Sequence, residues 1–410
     1  MSALPRSRGL LPALVTTLAL ALLGGCVEDL PATAEWPARP RVIRGEAPLG
    51  YVSNNGRDTI SVIALRTMDE IARVPVGRIA IDPEAPHHLA IDAARGFVYV
   101  GLSNVSPAGA TGPHAGHTGG TRDSYVQRLR LSDLEPDGDF RVDRDLGDIV
   151  LTPDGSRVLT SHFDLPKAID AITMGLPIER GWANLVVGDA MTMQRLARIP
   201  VCIAPHGVTV TADGAIALLA CYGDDRIAVV DLGAEPPAVA ARVAVGGTPS
   251  DVPPPRYGPY SVITSPDGTR AFVGNLESDD LRTLTIAPDH TVTLDASPLS
   301  LGAAVYFGAF SPDGARFWAP TQGPDELVLV DASAAAPSVT RTRTFELDEC
   351  VAPHEATYVP ELDRVVLVCE GDHRGPGKVI SLDPATLATT GEVVVDVYPD
   401  ALRVVHEVTW

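Results

Sequence analysis

The sequence predicts an all-β fold: a seven-bladed ring closed by pairing of its N-terminal strand with its C-terminal strand. Three observations lead there. A strand–turn–strand unit recurs along the chain with one internal spacing. No stretch sustains a helical period. The chain stops after one strand of a seventh unit and begins with a strand that would complete it.

The first folded segment, Tyr51–Asn54, reads as a strand, 55–58 as a polar turn, and 59–63 and 71–76 as two further strands. Alternating β-branched residues, punctuated by Gly, Asn and Asp, carry that reading. The recurring unit starts at His87 and reaches Leu102 through HHLAIDAARGFVYVGL. The same offset joins Gly147 to His162, His206 to Cys221, Tyr260 to Asn275, Tyr306 to Thr321 and His354 to Cys369. Each unit is an apolar strand, a tight reversal and a second apolar strand. Three reversals are Pro-Asp-Gly, at 153–155, 266–268 and 312–314. There Pro fixes φ, Asp bonds the local backbone and Gly accepts φ > 0. Successive starts are 60, 59, 54, 46 and 48 residues apart, which leaves room for two outer strands per hairpin. A seventh start lies near Asp400, and Tyr51–Asn54 supplies its second strand, leaving no free sheet edge.

Tyr51-Val52-Ser53-Asn54, with the following DTISVI and IARVPVG, is similar to the YVTN-type β-propeller repeat of bacterial and archaeal surface and exported proteins. The resemblance spans essentially the whole chain after its N-terminal leader. It implies a seven-bladed β-propeller and says little about activity, because most such proteins have no assigned reaction. Related propellers include lactonases and copper- or quinone-dependent redox enzymes. Only the first copy is close to the pattern, and several blades carry long insertions.

The N-terminus reads as a targeting segment. Arg6 and Arg8 precede the apolar run 10–23, and Leu23-Gly24-Gly25-Cys26 resembles the lipobox of bacterial lipoproteins. The run is too short to be a comfortable membrane span. Residues 1–25 are therefore expected to be a signal peptide, Cys26 the lipidated residue, 26–48 a tether, and 49–410 the propeller. Lipid would hold the protein on a bacterial outer membrane, outside the cytoplasm; Val27 favours that membrane by resemblance to sorting signals. Formal net charge is −20, or −22 without Arg6 and Arg8. That field opposes nucleic acid and anionic headgroups as partners.

Four cysteines remain after Cys26, an even number that suits disulfides in an exported protein. Cys202, His206 and Cys221 repeat the spacing of Cys350, His354 and Cys369. In a blade the first strand lines the hub, and the chain crosses back to it from the rim. Cys202 and Cys350 fall in such crossings; Cys221 and Cys369 end the next blade's second strand on the same face. The expected disulfides are 202–221 and 350–369, each contributing roughly 3 kcal/mol through loop closure. Thiolate metal ligation or free thiols are the alternatives.

His87, His206 and His354 each follow a proline at the start of a hub strand, and His162 ends a second strand on that face. Converging imidazoles would bind copper, zinc or iron; otherwise they bond crossing turns and plug the channel. By fold resemblance, the analogue is the hub histidine ring of copper-containing propeller reductases. Insertions at 103–124, 163–183 and 249–259 crowd the same face, where binding loops belong. HAGHTGG places His114 and His117 on a Gly-rich loop that would capture metal or ligand. The 164–182 segment is expected to lay a short helix over the mouth, with Arg180 and Trp182 beside a ligand. No phosphate loop, haem-attachment Cys-x-x-Cys-His, His-Glu-x-x-His or Gly-x-Ser-x-Gly occurs. The leading expectation is a lipid-anchored binding or scaffold protein that takes a protein or small-molecule ligand on its loop-rich face. The alternative is a copper- or iron-dependent redox protein with a hub histidine site. A propeller lactonase or other hydrolase ranks lower.

Overall fold

Period-two alternation of Val, Ile, Leu and Ala with polar residues becomes, among the described residues, thirty strands arranged in seven antiparallel sheets. The computed structural model describes residues 42–79, 83–104, 122–295 and 297–410. The expected signal peptide, Cys26, His114 and His117 lie outside them. Among the described residues no helix is long and apolar enough to cross a membrane.

Blade 1 runs outward from the hub strand Pro86–Asp92 through Phe97–Leu102 and Tyr125–Arg130 to Pro136–Arg141. The hub strands of blades 2, 3 and 4 are Leu146–Leu151, Pro205–Val210 and Pro259–Thr264. That of blade 5 is broken into Ala304–Val305 and Ala309–Phe310, and that of blade 6 is Pro353–Val359. Blade 7 takes its hub strand, Pro399–Val405, from the C-terminus and its other three, Leu49–Asn54, Thr59–Ala64 and Asp69–Pro75, from the N-terminus. Leu49 faces Val405 and Val52 faces Leu402 across that junction. Hub strands of adjoining blades touch: 86–92 meets both 146–151 and 399–405.

Each pair of neighbouring blades shares a dry interface of inward-facing residues. Tyr51, Ile60 and Val62 of blade 7 pack on Leu89, Val98 and Val100 of blade 1. Leu185 and Val187 of blade 2 meet Val208 and Leu219 of blade 3. Burying each such side chain is worth about 1.5–3 kcal/mol. The folded part begins earlier than the expected boundary at 49. Ile43 is 2% exposed, packs with Leu49 and Leu131, and donates its N–H to the Ser132 carbonyl.

The reversals on the face away from the histidines stay tight. Thr152 Oγ1 donates to Asp154 Oδ1 at 2.6 Å, and Gly155 takes φ 65°. Thr211 with Asp213, Ser265 with Asp267 and Ser311 with Asp313 repeat the bond. Both disulfides are present, Cys202–Cys221 and Cys350–Cys369, with Cα separations of 5.9 and 5.3 Å.

Candidate functional site

Three backbone devices deliver side chains to the hub. The crossing before a hub strand ends on a left-handed residue: Ala85, Asp145, Ala204, Gly258, Ala352 and Tyr398 have φ between 47° and 62°. Carboxylates clamp several crossings. Asp58 accepts from the N–H groups of Glu84 and Ala85, Asp225 from Tyr257 and Gly258, and Asp325 from Ala352. In blades 3 and 6 the disulfides tie the crossing to the end of the second strand.

The third device is a β-bulge. Pro86 faces Leu102 and Leu89 faces Val100, so three steps on the hub strand answer two on its partner. Leu146/Ile149, Pro205/Val208, Pro259/Ser261 and Pro353/Glu355 show the same one-residue excess. A bulge suspends strand alternation. Two consecutive residues, His87 and His88, therefore both join the hub cluster instead of facing opposite ways.

The result is a buried imidazole cluster. His87, His88, His206 and His354 are at most 2% exposed. Nε2 of His87 lies 3.4 Å from Nε2 of His206. The His88 ring completes a triangle with them, its centroid 4.6 Å from His87, 5.7 Å from His206 and 5.9 Å from His354. Ring nitrogens of His87, His88 and His206 lie within 4.8 Å of one another, as do donor atoms of His88, His354 and Asp400.

Carboxylates stand at the Nδ1 edges of three of these rings, His87, His88 and His354. Asp400, fully buried, contacts Nδ1 of His87 and lies 2.7 Å from Nδ1 of His354. Asp148 lies 2.9 Å from Nδ1 of His88 and accepts the Val208 N–H. Burial opposes the charged form of Asp400, yet His87 and His354 outweigh it and hold its carboxyl well below the usual range. Asp148 is lowered in the same way, against its burial, chiefly by His88. Burial also works against protonated His354, but Asp400 and Glu370 raise it to about 9. Deeper in the channel Glu355 pairs with Arg403 and accepts the Leu402 N–H.

Aromatic walls close one side. Tyr260 stacks on His206 with centroids 3.8 Å apart, and Phe307 lies 4.9 Å from His88. The insertion after blade 2's second strand forms the helix Leu165–Thr173 and a short turn, Ile178–Gly181. Asp164 caps the helix by accepting the Lys167 N–H. Phe163, Ala168, Tyr222, Tyr260 and Phe307 share one apolar cluster, so the insertion packs over the mouth.

The remaining sequence-derived candidates sit elsewhere. His162 is fully buried but bonded to the Arg144 carbonyl and to Thr160 Oγ1, and burial lowers it to about 4. Trp182 packs beneath the Arg242 guanidinium, 4.0 Å from its ring centre, and Arg180 is exposed. Both belong to the insertion that covers the mouth. Sequence reasoning passed over His88, Asp148 and Asp400 as site residues. The adjacent pair His87-His88 was the available signal, but regular alternation would have turned His88 away from the channel.

No protein-family model matches the chain, and no curated protein matches it. Solved structures do. A functionally unknown protein from Desulfotomaculum acetoxidans superposes with a TM-score of 0.65 at 12% identity, covering 88% of this chain and 100% of that one. A putative 6-phosphogluconolactonase from Bacteroides uniformis gives 0.63 at 14%, covering 87% and 99%. The periplasmic gluconolactonase of Pseudomonas aeruginosa gives 0.61 at 15%, covering 88% and 99%. At these identities the likeness is one of fold: this chain is a seven-bladed β-propeller, similar in architecture to gluconolactonase-like propellers.

Proposed function

We propose that this protein is an exported, Cys26-anchored propeller that holds a transition-metal ion, copper or iron, at its hub. His87, His88 and His206 are the ligands, with His354 and Asp400 adjoining. The observation that carries the reading is the convergence of three buried imidazoles, two of which, His87 and His88, have a carboxylate at the opposite edge. A metal–nitrogen bond of about 2.0–2.1 Å places tetrahedral donors about 3.3 Å apart. The 3.4 Å between the Nε2 atoms of His87 and His206 suits such an edge. At His87 and His88 a carboxylate beside Nδ1 fixes the ring orientation and leaves Nε2 to donate its lone pair, the usual outer support of histidine ligands. Imidazole suits copper, iron, zinc and nickel alike.

A bound ion would supply Lewis-acid or one-electron chemistry. The chain's own contribution is to orient the rings through Asp400 and Asp148, wall off water with Tyr260 and Phe307, and cover the mouth with the 163–183 insertion. The two disulfides suit an oxidising compartment outside the cytoplasm. The gluconolactonase-like neighbours share the fold and supply no substrate for this chain.

Elemental analysis of protein purified without chelators tests the reading. Stoichiometric copper or iron is expected, lost in His88→Ala and in the His87→Ala/His206→Ala double variant. Metal-free protein that gives no optical or paramagnetic signal on titration with Cu(II) or Fe(II) would sink it.

A further inference from the structure

Beside the hub, on the same face, blades 5 and 6 frame a cavity of about 440 Å³. Its walls include Tyr306, Gln322, Asp325, Glu370, Asp372 and His373, with Ala304, Val351 and Ala352 as apolar lining. Neither long insertion that is described builds it. The short connections after the second strands of two blades do.

Two features mark it as a ligand site. Tyr306 is 1% exposed, and among the described residues its hydroxyl has no hydrogen-bond partner. A buried hydroxyl left unbonded costs about 1–3 kcal/mol, which a ligand would recover. Glu370 is 4% exposed and spans two environments. Its Oε1 lies 3.5 Å from Nδ1 of His354 in the hub, while Oε2 pairs with Nε2 of His373 at 2.5 Å on the pocket side. His373 is itself stacked on Tyr398 at 3.8 Å.

The electrostatics select the ligand. Among the described residues three carboxylates and one imidazole, His373, line the cavity, and neither lysine nor arginine does. Burial first, then Glu370 and Asp325, keep the Tyr306 phenol neutral. An anion would be repelled. A bare metal ion would want clustered donors, and among the described residues no three carboxylate or imidazole donors of this cavity come together at chelating spacing. The apolar lining suits a carbon skeleton.

We propose that this cavity binds a small organic ammonium ion, its N–H groups donating to Glu370 and to the Tyr306 oxygen and its apolar body lying on Ala304, Val351 and Ala352. The proposal stands whether or not the hub takes a metal.

Calorimetric titration of the full chain with benzylamine, benzyl alcohol and benzoate tests it. Benzylamine is expected to bind, with the alcohol and the carboxylate at least about tenfold weaker. Tyr306→Phe, which removes only the hydroxyl, should weaken benzylamine roughly fivefold, and Glu370→Gln by tenfold or more. Unchanged melting of Tyr306→Phe separates loss of binding from loss of fold. The proposal is overturned if benzylamine shows no binding up to about 10 mM. Equal affinity for all three probes, or benzylamine affinity untouched by both substitutions, overturns it too.

Discussion

Replacing Cys202 and Cys221 together by alanine should cost the propeller about 3–5 kcal/mol. The loop they close spans 19 residues, and in the chain-entropy model releasing it costs about 3 kcal/mol. Both sulfurs are fully buried in the blade 2–blade 3 interface, so truncation leaves small voids worth up to roughly 1 kcal/mol each. Cys350 and Cys369 close an equal loop in the blade 5–blade 6 interface, so their removal should cost the same. The interfaces share no residue, and the quadruple variant should lose the sum. Urea unfolding of the four proteins, followed by intrinsic fluorescence, reads all three differences. A loss under about 1 kcal/mol for either pair would refute the loop-closure reasoning. So would a quadruple variant no less stable than the doubles, because the two cross-links would then not be restraining separate crossings.

His162 is held near 4 in the folded chain against 6.5 unfolded, with burial as the main cause. The stability this represents is present above pH 6.5 and is lost as pH falls through 4, about 3 kcal/mol in all; His162→Gln should flatten that part of the urea midpoint's pH profile. Asp224 runs the other way, because burial raises it to about 7 against the opposing pull of Arg226 and Arg242. Its contribution is present at acid pH and is lost as pH rises through 7, so Asp224→Asn should stabilise the protein at pH 8 by on the order of 3 kcal/mol and leave it nearly unchanged at pH 4. Because Glu370 touches both His354 and the cavity, loading the hub with metal should change benzylamine affinity, and benzylamine should change metal affinity by the same factor; Glu370→Gln should abolish that reciprocity in paired titrations.

The sheets were legible because their register is local. A fixed offset from hub strand to second strand appears as Pro205 facing Cys221 and Pro353 facing Cys369, one residue from the spacing read in the sequence. The disulfides followed from that register. Blade 5 was less legible. Its hub strand breaks at 306–308, where Phe307 instead exchanges backbone hydrogen bonds with His354 and Ala356 of blade 6. A tertiary contact there overrides local pattern. His88 was hidden by the bulge, and Asp400 was read only as a strand start. The ligand cavity was hidden for another reason: insertion length directs attention to 163–183 and 249–259, whereas the described pocket is built by residues such as Asp325 and Glu370 in minimal loops.

A hub can be closed with apolar side chains, and on one side Phe307 and Tyr260 do so. The other side carries Asp400 and Asp148 among four imidazoles, an expensive choice unless each charge is compensated. His354, raised to about 9, offsets one carboxylate. A carboxylate on the Nδ1 edge favours the Nδ1–H tautomer, so His87 is left with an Nε2 lone pair, while Asp148 stands 2.9 Å from the His88 Nδ1 without hydrogen-bonding it. A shared proton can satisfy His87 and His206 across their 3.4 Å approach. It does not satisfy His88, neither of whose ring nitrogens has a hydrogen-bond partner among the described residues. A channel merely plugged by histidines has no use for an unbonded imidazole at its centre, and a cation centre does.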